Sequence, residues 1–415
     1  MIKIDSKEKC CGCWACVQRC PKHCITMVED DEGFLYPKVD SSLCIDCSLC
    51  EKVCPVINQG EPRIPDMVYA AKNLNEEIRM ASSSGGIFTL LAEEIIAKGG
   101  VVFGARFNEE WDVVHDYTET IEGLSAFRGS KYVQSRVGKC YSQVEEFLKK
   151  GRKVLFSGTP CQIAGLKRFL RKEYDNILTV DFICHGVPSP GIWREYLKEE
   201  TTRQCGGKNT VLSHPVLNGR DARIESISFR NKSLGWKKYS FALTFSVSDG
   251  HGEKNIVLLS EPLNKNIFLR GFIADLYLRP SCHACPAKSL KSGSDITIGD
   301  FWGIQNVMPE IDDDKGVSVV MVSTEKGKEI WREITTINNE VTFDDVVAAN
   351  PALIRSVNFN RYRNKFYRNS MNTIEMRVAS LTSISFYQRC HRLLSAILLR
   401  LGLLDRLKGK LKKRS

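Results

Sequence analysis

The sequence predicts an α/β protein: a mostly parallel sheet covered by helices, with a β-rich insertion, behind a small α+β module at the front. Three observations lead there. Strand and helix patterns alternate from about residue 67 to residue 203. From about residue 222 the alternation gives way to hairpin-like β-rich stretches. Cysteines, 17 in 415 residues, crowd the first 54 positions.

The front module comes first. "CCGCWACVQRCP" spaces its cysteines as Cys10-x2-Cys13-x2-Cys16-x3-Cys20-Pro21, and the same spacing returns as Cys44-x2-Cys47-x2-Cys50-x3-Cys54-Pro55. This is the run of a bacterial two-cluster ferredoxin, in which the first three cysteines of each run hold one 4Fe–4S cube and the fourth holds the other. Cys10, Cys13, Cys16 and Cys54 are therefore assigned to one cluster, and Cys44, Cys47, Cys50 and Cys20 to the second. Each fourth cysteine is expected to open a short helix that crosses to the other cluster, with a proline after it in a turn that needs no N–H donor. Zinc in paired CxxC sites is the plainer alternative, but it has no use for the full spacing twice over. Cys11 and Cys24 fall outside the pattern and are read as small packing residues. Between the runs, "CITMVEDDEGFLYPKVD" reads as two strands around Asp30-Asp31-Glu32-Gly33.

"VINQGEPRIPDM" then reads as a linker. After it come a strand ("MVYAAK"), an amphipathic helix ("GGIFTLLAEEIIAKGG"), two strands ("VVFGARF", "VVHDYTE") and a helix ("YSQVEEFLKKG"). The buried strands "KVLFSG" and "NILTVDFIC" are each followed by a helix. "IESISFRNK", "KKYSFALTFSVSDG" and "NIVLLS" form the β-rich insertion. "NIFLRGFIADLYL" and "EKGKEIWREI" read as helices, and "GVSVVMVS" as a strand.

Four places in this larger part carry chemistry. Ser82, Ser83 and Ser84 precede Gly85-Gly86 at a helix start, where free N–H groups suit a phosphate. A serine cap with a glycine turn explains them equally. "LFSGTPCQIAGL" ends a buried strand and places Cys161 in the first turn of a helix, a position that favours thiolate, on the rim where open α/β sheets bind ligands. "VDFICHGVPSP" brings Cys184 and His185 to the end of the next strand. His185 is a candidate base, though a histidine here is commonly a structural hydrogen-bonder. "CHACPAKSLKSGSDITIGDFWG" holds the pair Cys282 and Cys285, then Asp300 between Gly299 and the aromatics Phe301 and Trp302. Glycines there permit close approach to a planar ring, or simply a tight turn. Cys161, Cys184, Cys282 and Cys285 together suggest a third 4Fe–4S cluster; a four-thiolate zinc site or a CxxC redox pair remains open.

"SSSGGIF", "SKYVQS", "LFSGTPCQIAGL", "ICHGVPSP" and "DITIGDFWG", in this order behind the two-cluster module, resemble the coenzyme F420 hydrogenase/dehydrogenase beta-subunit family over roughly residues 1–355. The resemblance implies an α/β flavin domain that binds FAD and passes electrons between clusters and a deazaflavin or other small organic substrate, as in polysaccharide-biosynthesis settings. It makes Ser83, Ser84, Gly85, Gly86, Lys131, Thr159, Gly299 and Asp300 the expected cofactor-binding set, and Lys131, His185 and Asp300 the expected catalytic set. The expected organisation is a ferredoxin module over 1–60, a flavin domain in two parts over 61–200 and 201–355, and a basic amphipathic helical tail over 356–415. The substrate-selecting pocket is expected in the insertion, about 205–260. The alternative is an electron-transfer subunit that docks to a catalytic partner protein.

Charge and composition narrow the class. Net charge is +10, from 59 Lys and Arg against 49 Asp and Glu. It is diffuse apart from the tail "RLKGKLKKRS", and no nucleic-acid-binding motif accompanies it. No apolar stretch is long enough to span a bilayer, although the leucine-rich basic tail suits peripheral contact with an anionic membrane surface. "MIKIDSKEKCC" has no signal-peptide pattern, so a cytoplasmic protein with reduced, ligand-bearing cysteines is expected.

Overall fold

A computed structural model describes residues 1–205, 216–217, 220–248 and 254–382. The distal tail from 383 onward, and with it the expected membrane contact, lies outside the described residues.

The front module is built from α1 (Ala15–Arg19), β1 (Ile25–Glu29), β2 (Leu35–Val39) and α2 (Leu49–Lys52), with β1 and β2 paired antiparallel around Gly33. Both cysteine runs fold alike. Gly12 and Trp14 in the first, and Asp46 and Ser48 in the second, take positive φ at matching places. Left-handed residues in such a loop let successive backbone N–H groups face one concave side. The fourth cysteines do not open the helices as expected. Cys16 and Cys50 lie within α1 and α2, and Cys20 closes α1 in extended backbone (φ −71°, ψ 115°). The following Pro21 is the reason, because a residue before proline is pushed out of the helical region.

The larger part begins with β3 (Met67–Lys72), α3 (Glu76–Ala81), α4 (Ile87–Ala97), β4 (Val101–Phe107) and β5 (Val113–Thr118). It continues with α5 (Cys140–Lys149), β6 (Val154–Gly158), α6 (Pro160–Leu170), β7 (Ile177–Phe182) and α7 (Pro190–Cys205). The insertion holds β8 (Val216–Leu217), β9 (Arg220–Asn231), β10 (Ser240–Ser248) and β11 (Lys254–Pro262), and α8 (Ile267–Ile273) follows. β12 (Ile296–Asp300), β13 (Ser318–Val322) and β14 (Ile337–Glu340) complete the main sheet.

That sheet has the order β14-β3-β13-β12-β7-β6-β4-β5. Its four central strands, β12, β7, β6 and β4, run parallel, and the outer pairings are antiparallel. Val154, Leu155 and Phe156 of β6 are fully buried, as helices on both faces require of a central parallel strand. α6 starts on a capping box between Thr159 and Gln162 with Pro160 in its first turn, so β6 turns into α6 sharply at the sheet rim. The insertion forms its own antiparallel sheet, β11-β10-β9-β8, whose Phe229, Phe241 and Phe245 pack with Trp193, Phe268 and Tyr277. The helix expected over "NIFLRGFIADLYL" stops at Ile273.

The front module is welded onto the sheet domain. Cys11, Cys13, Ala15 and Val53 share one apolar core with Phe103, Tyr141, Ile163 and Leu166. Gly33 packs on Gly191, where a Cβ would come within 2.7 Å of backbone. Arg363, in a helix over Arg363–Arg368, grips Glu32 through both nitrogens at 2.7 and 2.6 Å. The stretch "VINQGEPRIPDM" is equally tied down: Arg63 bonds the carbonyls of Ser289 (from its N–H) and Ser294 (from its guanidinium).

Candidate redox centres

The cysteine assignments divide in space as the spacing requires. Cys20, Cys44, Cys47 and Cys50 line one small cavity, together with Cys24, whose sulfur is 3.4 Å from that of Cys20. Cys54 is absent from that wall. It stands with Cys10, Cys13 and Cys16, whose thiols are mutually close enough to resist ionisation together. Cys20 thus stands with the second run and Cys54 with the first. Cys50 also acts on both Cys16 and Cys54, which places the two sets side by side. Burial pushes Cys16 and Cys54 upward, so these are neutral thiols until iron displaces their protons.

A third set converges at the sheet rim. Cys161 at the start of α6, Cys184 after β7, and Cys282 and Cys285 in a short turn all line one cavity of about 40 Å³, room for more than a single water. β6 and β7 are adjacent parallel strands, so their carboxyl ends bring Cys161 and Cys184 together. Val187 donates its N–H to Cys282 Sγ (3.4 Å), and the Lys288 ammonium, bonded to the Cys184 carbonyl at 2.6 Å, supplies a positive charge beside the set. Burial raises Cys184 well above its ordinary value and pushes Cys282 up to about 12. The thiolate expected at Cys161 is not found. Its hydrogen bond with Cys11, then burial, raises it well above the ordinary thiol value, and this outweighs the helix N-terminus. Among the described residues no three His, Cys, Asp or Glu side chains converge tightly enough for one metal ion. These thiols ring an opening instead.

Cys11 is buried as expected, yet packing is not its whole environment. Its thiol contacts both Cys13 and Cys161, so it spans the gap between the first and third sets. Gly165 of α6 makes that contact close, because a Cβ there would lie 2.8 Å from Cys13 Cβ. The adjacent "CC" at 10–11 was the sequence signal for this residue. Arg279 was missed altogether. Its guanidinium donates to the Cys10 carbonyl (2.7 Å), to Leu35 O (2.9 Å) and to Gln134 Oε1 (2.9 Å), and lines the third cavity. Gln134 also donates to the Cys11 carbonyl at 3.0 Å.

The residues expected to hold FAD do not form one hole. Ser83 Oγ accepts from Ser130 N, Ser84 Oγ donates to Val317 O, and Gly85 N donates to Ser318 Oγ. Gly85 is pressed on β3 and β13, with a Cβ only 2.5 Å from Ala71 O, so packing accounts for that glycine. Lys131 turns its amine to the Ala126 and Arg128 carbonyls, and burial lowers it to about 7. Thr159 caps α6 and touches Cys161 Sγ at 3.2 Å. Gly299 faces Ile183. Asp300 is taken by Arg230 (2.7 and 3.2 Å) and by the Trp236 indole (2.9 Å), an arrangement that leaves no free carboxylate for catalysis. Trp302 stacks on Trp236 with ring centroids 4.9 Å apart, and Phe301 is core. In this conformation the set does not fit a flavin. His185 does line the third cavity, where its Nε2 pairs with Asp275 at 2.6 Å.

In the described part of the insertion, where the substrate pocket was expected, Lys232, Trp236 and Tyr239 pack inward. A cavity of about 300 Å³ lies elsewhere, between Gly12 and Trp14 of the first cysteine loop and Gln134, Arg136, Arg194 and Arg279.

A family model for the C-terminal part of the coenzyme F420 hydrogenase/dehydrogenase beta subunit matches residues 151–347, and a 4Fe–4S dicluster domain model matches residues 9–58. The chain belongs to the coenzyme F420 hydrogenase/dehydrogenase beta-subunit family. An uncharacterized protein in the rpl9–rpl11 intergenic region of Porphyra purpurea is 36% identical over 63 residues, which are 14% of this chain and 84% of that protein. A solved chain of the xenon-derivatised F420-reducing NiFe hydrogenase complex from Methanosarcina barkeri is 17% identical, with 80% of this chain and 96% of that chain covered and a TM-score of 0.40. This member of the beta-subunit family is an iron–sulfur protein with an oxidoreductase ancestry. No helix among its described residues is long and apolar enough to cross a membrane.

Proposed function

We propose that this protein is a three-centre iron–sulfur oxidoreductase subunit that carries single electrons between a partner protein and a reaction at its inner end. One observation carries the reading: four cysteines from three separate segments meet around one cavity directly behind the first cysteine loop. Bound 4Fe–4S centres supply one-electron chemistry and nothing else is asked of them. The chain does the rest. It would hold them in a row through the Cys44 set, the Cys10 set and the Cys161 set. Cys47 is exposed, with Leu43 and Ile45 standing out beside it, so the outer end of the row suits docking of a redox partner. The inner end is lined by the start of α6, Arg279 and the Cys282 turn, whose charge and hydrogen bonds would tune the centres' potentials.

Zinc fits the third site less well, because the thiols stand apart around an opening rather than converging. A second reading makes the chain a complete oxidoreductase for a small organic molecule, a deazaflavin included. The cavity of about 300 Å³ beside Trp14 and Arg279 favours it, being at the lower end of small-molecule sites. FAD and hydride exchange rest on the family resemblance, and Ser83–Gly86 and Lys131 would have to release their protein partners to bind it.

The test is cofactor content of anaerobically purified protein. About twelve irons per chain are expected, falling by about a third in Cys282→Ser. Cys11→Ala, whose thiol lies outside each set of four, should keep all of them. About eight irons in the parent, unchanged in Cys282→Ser, would sink the third centre. Acid-released flavin at one per chain would establish the second reading.

A further inference from the structure

Five arginines are buried among the described residues: Arg79, Arg230, Arg279, Arg363 and Arg377. Four of them pair with a carboxylate, on Asp313, Asp300, Glu32 and Glu195 respectively. Arg279, 1% exposed, is the exception. Among the described residues no carboxylate answers it. Its donors go to the Cys10 and Leu35 carbonyls, to Gln134, and, from Nη2, to Cys10 Sγ at 3.5 Å. The Tyr36 ring lies 4.3 Å from its guanidinium carbon. A buried cation without an anion is strongly unfavourable, so the fold has to supply a counter-charge from another source. Gly12 marks how closely the cysteine loop wraps this side chain: a Cβ there would lie 2.8 Å from Arg279 Nη1.

The structure assigns that counter-charge: we propose that Arg279 is the shared counter-ion of the Cys10 centre and the third centre, and raises both their potentials. A 4Fe–4S centre with four thiolates is anionic and becomes more so on reduction, and net charge together with hydrogen bonds to sulfur sets its potential. Arg279 meets both conditions at Cys10 and also lines the cavity of the third set. The same fork ties Cys10, β2 and Gln134 together, so it positions the loop as well. The part of the inference that concerns the third centre rests on the reading above; the part at Cys10 does not.

EPR-monitored redox titration tests it, with iron content read on the same samples. In Arg279→Gln the reduced-to-oxidised ratio of the Cys10 centre at fixed potential should fall at least tenfold, about 59 mV for a one-electron centre. The third centre should move the same way. The Cys44 centre, away from Arg279, should stay in place and serve as the internal reference. Arg279→Lys keeps the charge but loses the fork, and its ratio should stay within threefold of the parent. A purely structural role predicts the reverse, with lysine shifting the ratio as far as glutamine. An unmoved Cys10 centre in Arg279→Gln overturns the proposal, and a shift there with an unmoved third centre overturns the sharing. Should Arg279→Gln lose its iron, Arg279→Lys decides alone: within threefold upholds the counter-ion, a tenfold fall overturns it. Eight irons in the parent protein would remove the third centre and leave the Cys10 shift to be read by itself.

Discussion

Gly165→Ala sets two known effects against each other at the joint between the cysteine loop and the sheet domain. Gly165 sits in the middle of α6 and is buried. Helix propensity alone favours alanine there by about 1 kcal/mol. The added Cβ, however, would lie 2.8 Å from Cys13 Cβ, 3.0 Å from Cys13 Sγ and 3.1 Å from Tyr141 Oη. None of these is the loose end of a side chain. Cys13 Cβ is one bond from the backbone, and its sulfur would be held in place by the proposed first cluster. Tyr141 is fully buried, and its hydroxyl donates to Gln162 O at 2.7 Å. Overpacking of this kind costs about 1–3 kcal/mol. The clash should win by about 1 kcal/mol, and relief should come from the cysteine loop backing away from α6. The assay is anaerobic thermal unfolding together with the rate of iron loss to a chelator. A lower unfolding midpoint with faster release of the Cys10-set iron is expected. A raised midpoint with parent-like iron retention would refute the reasoning, since it would mean that the loop does not press on α6.

Two further outcomes follow from buried charge. Asp300→Ala should lower stability by about 3 kcal/mol, because it strands the Arg230 guanidinium, and should leave iron content unchanged. The double variant Arg230→Met with Asp300→Leu should recover most of that loss; if it does not, Asp300 does something beyond answering Arg230. Asp181, buried between Ser292 and Thr297, is held at about 6 by burial, against the hydrogen bonds those hydroxyls give it. Its raised value means the folded state takes up the proton more readily than the unfolded chain. Stability should therefore be greatest below about pH 4, where both states hold the proton, and fall as pH rises from there through about 6, by about 3 kcal/mol in all and about 1.4 kcal/mol of it between pH 5 and 7. Denaturant unfolding between pH 5 and 7 should show that slope in the parent and lose it in Asp181→Asn; an equal slope in both would exclude Asp181 as its source.

The sequence by itself determined what depends on neighbours along the chain. Cysteine spacing is such a feature, and it specified two groups of four cysteines, each taking its fourth member from the other run, and the hairpin between the runs. The continuous apolar run Val154-Leu155-Phe156 of β6 specified a buried parallel centre, since only strands covered on both faces can be apolar throughout. Proline local sterics were also in the sequence, and the Cys20-Pro21 pair could have shown that α1 ends there. The third set was partly legible, because "LFSGTPC" and "DFIC" place two thiols at strand ends and CxxC supplies two more. Their meeting was decided by strand order, which brings β6, β7 and β12 side by side. What no local pattern could disclose is where a long side chain finds its partner. Ser83, Lys131 and Asp300 read as ligand-binding groups in isolation and proved to be satisfied by Ser130, Ala126 and Arg230. Arg279 read as nothing, yet reaches across 269 positions to Cys10. The reason is physical: a buried polar group must be paired, and the chain end that pairs it is chosen by how the layers pack, long after the local spacing has done its part.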